Sequence, residues 1–125
     1  MDARVVDASA VAALLFNEPE ADSIADQITA ARLLAPFLLE FELANVCLIK
    51  SRRHPGQMPT LIEAFRLLDQ LGVEAMAVDH VGVVTLAAET GLTAYDASYL
   101  WLSHRQGAPL VTLDRKLARA ALVGR

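Results

Sequence analysis

The sequence predicts a three-layer α/β/α protein built on a short parallel sheet of four to five strands. Three observations carry that expectation. Short β-like runs alternate with longer helical stretches, the pattern that forms parallel sheets through helical crossovers. Aspartates recur where helices begin, in VVDAS at 5–9, TAYDAS at 93–98 and LVTLD at 110–114. The chain is also 125 residues long and 54% hydrophobic, enough to bury a core as one globular domain over residues 1–125 without cross-links.

Each element follows from local pattern. Val5 and Val6 open a strand that ends at Asp7, and SAVAALLF reads as a helix stopped by Asn17 and Pro19. ADSIADQITAAR, residues 21–32, is a second helical stretch, and Leu33 to Ala35 is a very short strand. Pro36 suits a first helical turn, so PFLLEFELANVCLIKSRR reads as one long helix ending before Pro55 and Gly56. Thr60 to Leu71 is amphipathic and closes at Gly72. VEAMAV at 73–78 alternates as a strand does. His80–Thr90 and Ala94–Gln106 are helices separated by Gly91, Gly107 and Pro109 lead into the strand LVTL, and Asp114 begins the last helix, DRKLARAALV.

The lone cysteine, Cys47, excludes a disulfide within the chain and suits a reducing cytoplasm. The opening MDARVVD lacks the apolar stretch of a signal peptide, and no apolar run reaches the roughly 18 residues that would span a bilayer. The expectation is a soluble, intracellular protein with no membrane partner. Net charge is −4, but residues 1–49 carry eight acids against Arg4 and Arg32, whereas residues 105–125 carry five arginines and lysines against Asp114. The acidic excess is local.

Ligands of parallel α/β sheets gather beyond the carboxyl ends of the strands. Asp7 and Asp114 sit at such ends, Asp96 lies in the first turn of a helix, and the helix bearing Glu40 and Glu42 passes nearby. Asp7 and Asp114 are also good helix N-caps, and Thr93 with Asp96 resembles a capping box. Glu40 and Glu42 have no such role, since they interrupt an apolar helix in which Leu38, Leu39, Val46 and Ile49 neighbour Glu42. A buried carboxylate needs a partner. Two like charges about 5 Å apart repel by about 3 kcal/mol at an effective dielectric of about 20, so a converging quartet calls for a cation. Hard oxygen donors favour Mg²⁺ or Mn²⁺, and such an ion suits phosphodiester hydrolysis. Competing chemistries are absent: the chain has no Walker loop or GxGxxG, His54, His80 and His104 lack zinc spacing with Cys47, and Ser9 and Ser98 lack an evident base.

The stretches VVDASA at 5–10, APFLLEFELANV at 35–46, LTAYDASYLWLS at 92–103 and LVTLDRKLARAA at 110–121 together resemble the PIN-domain family, specifically the VapC-type toxins of toxin–antitoxin pairs. The resemblance implies a metal-dependent endoribonuclease with an acidic quartet of Asp7, Glu42, Asp96 and Asp114. Glu42 is preferred to Glu40 because the family pattern of Glu, two residues, then Asn matches Glu42 with Asn45. Ser9, Asn45 and Thr112 match supporting polar positions. The resemblance further implies Mg²⁺ (or Mn²⁺) as cofactor, an RNA substrate, a homodimer, and a cognate antitoxin whose tail packs into a groove between helices. A catalytically silent PIN-like module that binds RNA or protein is the alternative. Arg115, Lys116 and Arg119 are the candidates for meeting RNA phosphates. Lys50, Arg52, Arg53 and His54 fit better as charges at a helix C-terminus. Many family members continue into a further strand where this chain reads Val123-Gly124-Arg125, which leaves the number of strands open.

Overall fold

Val5 and Val6 are β-branched and wholly buried, and they place their strand at the centre of the sheet. The computed structural model describes residues 2–123. Within them, β1 (Ala3–Val6), β2 (Arg32–Pro36), β3 (Glu74–Met76) and β4 (Leu110–Val111) form one parallel sheet in the order β3-β2-β1-β4. The helices are α1 (Ala8–Leu15), α2 (Ala21–Ile28), α3 (Leu38–Arg53), α4 (Met58–Arg66), α5 (Leu68–Leu71), α6 (His80–Thr90), α7 (Ala94–Gln106) and α8 (Arg115–Val123).

The strand order decides where a ligand can sit. The chain steps from β1 outward to β2 and β3, then returns to β4 on the other side of β1. Right-handed crossovers therefore put α1 to α5 on one face and α6 and α7 on the other. The step changes direction between β1 and β4, and the carboxyl ends of those two strands diverge into a crevice. Asp7 follows β1 at this point, and Thr112 to Asp114 follow β4. The backbone holds the two ends together, with Val5 N donating to Pro109 O at 2.9 Å and Asp7 N to Val111 O at 3.3 Å.

One apolar core joins both faces, with Ile24, Leu34, Leu43, Leu100, Leu102 and Leu117 among its most completely buried side chains. Gly82 lets α6 seat on α7, because a Cβ there would lie 2.6 Å from the indole nitrogen of Trp101. That close seating fixes the helix that carries Asp96.

Several boundaries differ from the sequence reading. The second helix stops at Ile28 instead of Arg32: Ala30 takes a left-handed φ of 59° and turns the chain so that Arg32 pairs with Ala3 in the sheet. Pro36 ends β2 opposite Met76 and does not begin α3. It lies beyond the last residue that β2 pairs with β1, Leu34, so its missing N–H costs that ladder nothing. The single helix expected over Thr60–Leu71 begins at Met58 and divides at Leu67 into α4 and α5, where Leu67 N donates to Ala64 O in a tighter turn. The strands expected at 73–78 and 110–113 shorten to three and two residues. In the second case Thr112 and Leu113 leave the ladder to bond Asp7 and Ser9. The sheet has four strands among the described residues; Gly124 and Arg125, where a further edge strand was in question, lie outside them.

Candidate metal centre

Asp7 is 5% exposed and caps α1. Its Oδ1 accepts from Ala10 N at 3.0 Å and from Ser9 Oγ at 2.7 Å, and its Oδ2 accepts from Thr112 Oγ1 at 2.5 Å. The two hydroxyls also accept from the chain after β4: Leu113 N donates to Ser9 Oγ at 2.8 Å and Asp114 N to Thr112 Oγ1 at 3.0 Å. Each hydroxyl has one proton and directs it at Asp7, so the 3.3 Å approach of Ser9 to Thr112 is a contact between two committed groups. Asp114 caps α8, its Oδ1 accepting from Leu117 N at 3.0 Å. The sequence expected Ser9 and Thr112 to support the acids, and the structure bonds both to Asp7.

Asp96 lies in the first turn of α7 and is partly buried, its N–H held by Thr93 Oγ1 at 3.1 Å. Glu42 comes from the second turn of α3 and is also partly buried. Its Oε1 accepts from the Tyr99 hydroxyl at 2.5 Å. Glu40, the other candidate on that helix, is exposed and lines a separate cleft with Ala35, Leu68 and Asp69. Asn45 is exposed, and the structure gives its side chain no hydrogen bond to Glu42.

The electrostatics couple the four acids pair by pair. Burial pushes the Asp7 carboxyl above the usual carboxylate range, against hydrogen bonds from Thr112, Ala10 and Ser9, and the charge of Asp114 adds to the rise. Burial raises Glu42 too, against the Tyr99 hydrogen bond, and the charges of Asp96 and Asp7 raise it further. Asp96 is raised by burial and then by Asp114, against Thr93 and Lys116. Asp7, Asp114, Asp96 and Glu42 therefore form a closed ring of electrostatic neighbours.

Among the described residues, no three His, Cys, Asp or Glu side chains are already drawn into one coordination shell. Mg²⁺ does not require that, since it keeps several waters and is held through one or two carboxylates. The donor set is all carboxylate oxygen, and protein hydrogen bonds leave capacity on Asp7 Oδ2, Glu42 Oε2 and Asp114 Oδ2. By donor chemistry and by charge, these residues fit a hard divalent cation.

Of the basic candidates, Arg115, Lys116 and Arg119 are exposed on α8. Lys116 Nζ donates to Gly91 O at 2.8 Å and lies near enough to offset the charge of Asp96. Lys50 instead pairs with Glu18 at 3.2 Å and lies over the Phe16 ring, which suits the helix-terminal reading of its cluster. Sequence reasoning missed Tyr99. The available signal was a tyrosine one turn after Asp96 on a face that had to be core, because a buried phenol requires a partner.

The fold is a four-stranded parallel sheet covered by helices on both faces, and the PIN domain family model matches residues 4–123. The chain belongs to the PIN domain family. It is 34% identical to Ribonuclease VapC3 of Pyrobaculum aerophilum over 119 residues, covering 91% of each chain. It is also 32% identical to Ribonuclease VapC9 of Mycobacterium tuberculosis over 114 residues, covering 91% of this chain and 87% of the relative. The crystal structure of PAE2754 from Pyrobaculum aerophilum superposes with a TM-score of 0.78 at 26% identity, covering 95% of this chain and 84% of that one.

Proposed function

We propose that this protein is a divalent-metal-dependent endoribonuclease and the toxin of a toxin–antitoxin module. The observation that carries the reading is the ring of Asp7, Glu42, Asp96 and Asp114 at the crevice between β1 and β4, in a chain whose relatives are named ribonucleases. The quartet is complete, so nothing favours a catalytically silent module.

Asp7 and Asp114 would hold Mg²⁺ (or Mn²⁺) from the sheet side, and Glu42 and Asp96 from the helices. When bound, the ion supplies an activated water and neutralises charge on the phosphodiester and its leaving oxygen. The protein's own contribution is to fix the oxygens. Ser9 and Thr112 donate their protons to Asp7 and oppose the rise that burial imposes on its carboxyl, and the caps of α1 and α8 anchor Asp7 and Asp114. Arg115, Lys116 and Arg119 supply positive charge on α8 for the RNA backbone.

An apolar groove lined by Phe37, Leu38, Met76, Val83, Val84 and Tyr95 lies beside Asp96 in the chain. Phe37, Val84 and Tyr95 are each more than 60% exposed, and we assign this surface to the antitoxin tail or to a second copy in a homodimer. Among the described residues no helix is long and apolar enough to cross a membrane. The lone buried thiol Cys47 suits the reducing cytoplasm, where we place the activity.

The deciding experiment is Asp7→Asn or Asp96→Asn in purified protein. Each variant is expected to lose Mg²⁺-dependent RNA cleavage by more than about 100-fold, beyond the loss typical of groups that merely support a ligand. Circular dichroism should remain unchanged. Full activity in either variant would defeat the proposal.

A further inference from the structure

Glu42 differs from the other three acids in how it is held. Asp7 and Asp114 accept backbone N–H groups at helix N-termini, and Asp96 occupies a first turn fixed by Thr93. Glu42 sits in the second turn of α3 on a longer side chain that accepts no backbone N–H. Its hydrogen bond comes from the phenol of Tyr99, 57 residues away on α7. That phenol is on a side chain only 1% exposed, locked among core residues. A rigid aromatic donor thus meets a flexible carboxylate. The bond is short, at 2.5 Å, and it occupies Oε1 while leaving Oε2 unbonded.

We propose that Tyr99 is a positioning residue for the metal centre: it clamps the Glu42 carboxylate so that the free oxygen faces the cation. Asp96 and Tyr99 are three residues apart on α7, so one helix delivers a metal-binding carboxylate and the clamp for another. The inference rests on the metal reading above and extends it to a residue that need not touch ion or RNA.

The test is Mn²⁺ binding to the full-length protein, measured by the electron paramagnetic resonance of free Mn²⁺, for wild type, Tyr99→Phe, Glu42→Gln and the double variant. Tyr99→Phe keeps the ring and loses only the hydroxyl. It is expected to bind Mn²⁺ about 10-fold more weakly or worse, the usual effect of removing a group that orients a ligand. In the Glu42→Gln background the same change should have no effect, because the clamped carboxylate is gone. RNA cleavage by Tyr99→Phe should recover as Mn²⁺ is raised, which a purely structural lesion would not allow. Glu42→Asp, which withdraws the carboxylate from the phenol, should reproduce the loss and guards against misfolding of the tyrosine variant. Unchanged affinity in Tyr99→Phe beside normal wild-type binding would overturn the clamp alone, as would an equal loss with and without Glu42. Absence of Mn²⁺ binding by the wild type would overturn the metal reading and the clamp with it.

Discussion

The two sides of the proposed metal centre are built differently. On the sheet side, Asp7 accepts three hydrogen bonds, from a backbone amide and two hydroxyls, and those hydroxyls are held by the amides of Leu113 and Asp114. On the helix side, a single phenol holds Glu42. The sheet side is structural and chemical at once, since its bonds also join the ends of β1 and β4. The helix side rests on one bond between α3 and α7, so loss of the phenol hydroxyl alone should weaken metal binding with less effect on the fold.

The largest effect expected from breaking this contrast is at Thr112. Thr112→Val removes the donor to Asp7 Oδ2 and the acceptor for Asp114 N, leaving buried polar atoms unsatisfied at about 1–3 kcal/mol each. Urea unfolding of the metal-free protein should show a loss in that range together with weaker Mn²⁺ binding. Tyr99→Phe should show the weaker binding with little change in unfolding. Equal stability losses in the two variants would erase the distinction between the two sides.

A smaller effect is expected from pH. The folded-state pKa values of Asp7, Glu42 and Asp96 are raised, so in the absence of metal the native state holds protons that the unfolded chain releases. Their contribution to stability is full below the ordinary carboxylate pKa and is lost as pH rises through the raised values. The metal-free protein should therefore melt at higher temperature just above the ordinary carboxylate range than at pH 7, as far as these groups decide it, and Asp7→Asn should flatten the slope. With Mn²⁺ present the trend should reverse, because protons and metal compete for the same oxygens. A metal-free melting temperature that falls on acidification in wild type and Asp7→Asn alike would remove these carboxylates as its cause.

The smallest effect lies outside both sides and serves as a baseline. Ala30 holds a φ of 59° in the turn before β2, a region that costs a side chain about 1–2 kcal/mol. Ala30→Gly relieves that cost but adds unfolded-chain freedom worth about 0.4–1 kcal/mol, for a net gain between about 0 and 1.6 kcal/mol. Chemical denaturation should show the gain, and Mn²⁺ affinity should stay where it was. A loss of stability would mean that the turn does not strain the alanine.

Much of this architecture was legible because apolar runs and aspartates coincide. VVD and LVTLD mark strands ending in caps, and a cap at the carboxyl end of a parallel strand is also where ligands bind. The limits of α6 and α7 were readable to the residue, because each closes on a glycine with positive φ, Gly91 and Gly107. The errors arose where tertiary pairing overrides local preference. Pro36 looks like a helix starter, yet it belongs to β2 because β3 pairs with it. ADSIADQITAAR looks helical throughout, yet the pairing of Arg32 with Ala3 pulls its end into the sheet. Tyr99 was invisible as a partner of Glu42 because no local pattern links positions 57 residues apart.

A two-residue strand at the edge of a sheet would ordinarily fray. Here the residues just past it are latched: although the Leu113 side chain is 37% exposed, its amide ends on Ser9 and that of Asp114 on Thr112. These two amides should exchange with deuterium far more slowly than their place at the rim implies. Such protection would make the tip of β4 the slow-opening end of the crevice and leave breathing motions to the helices opposite.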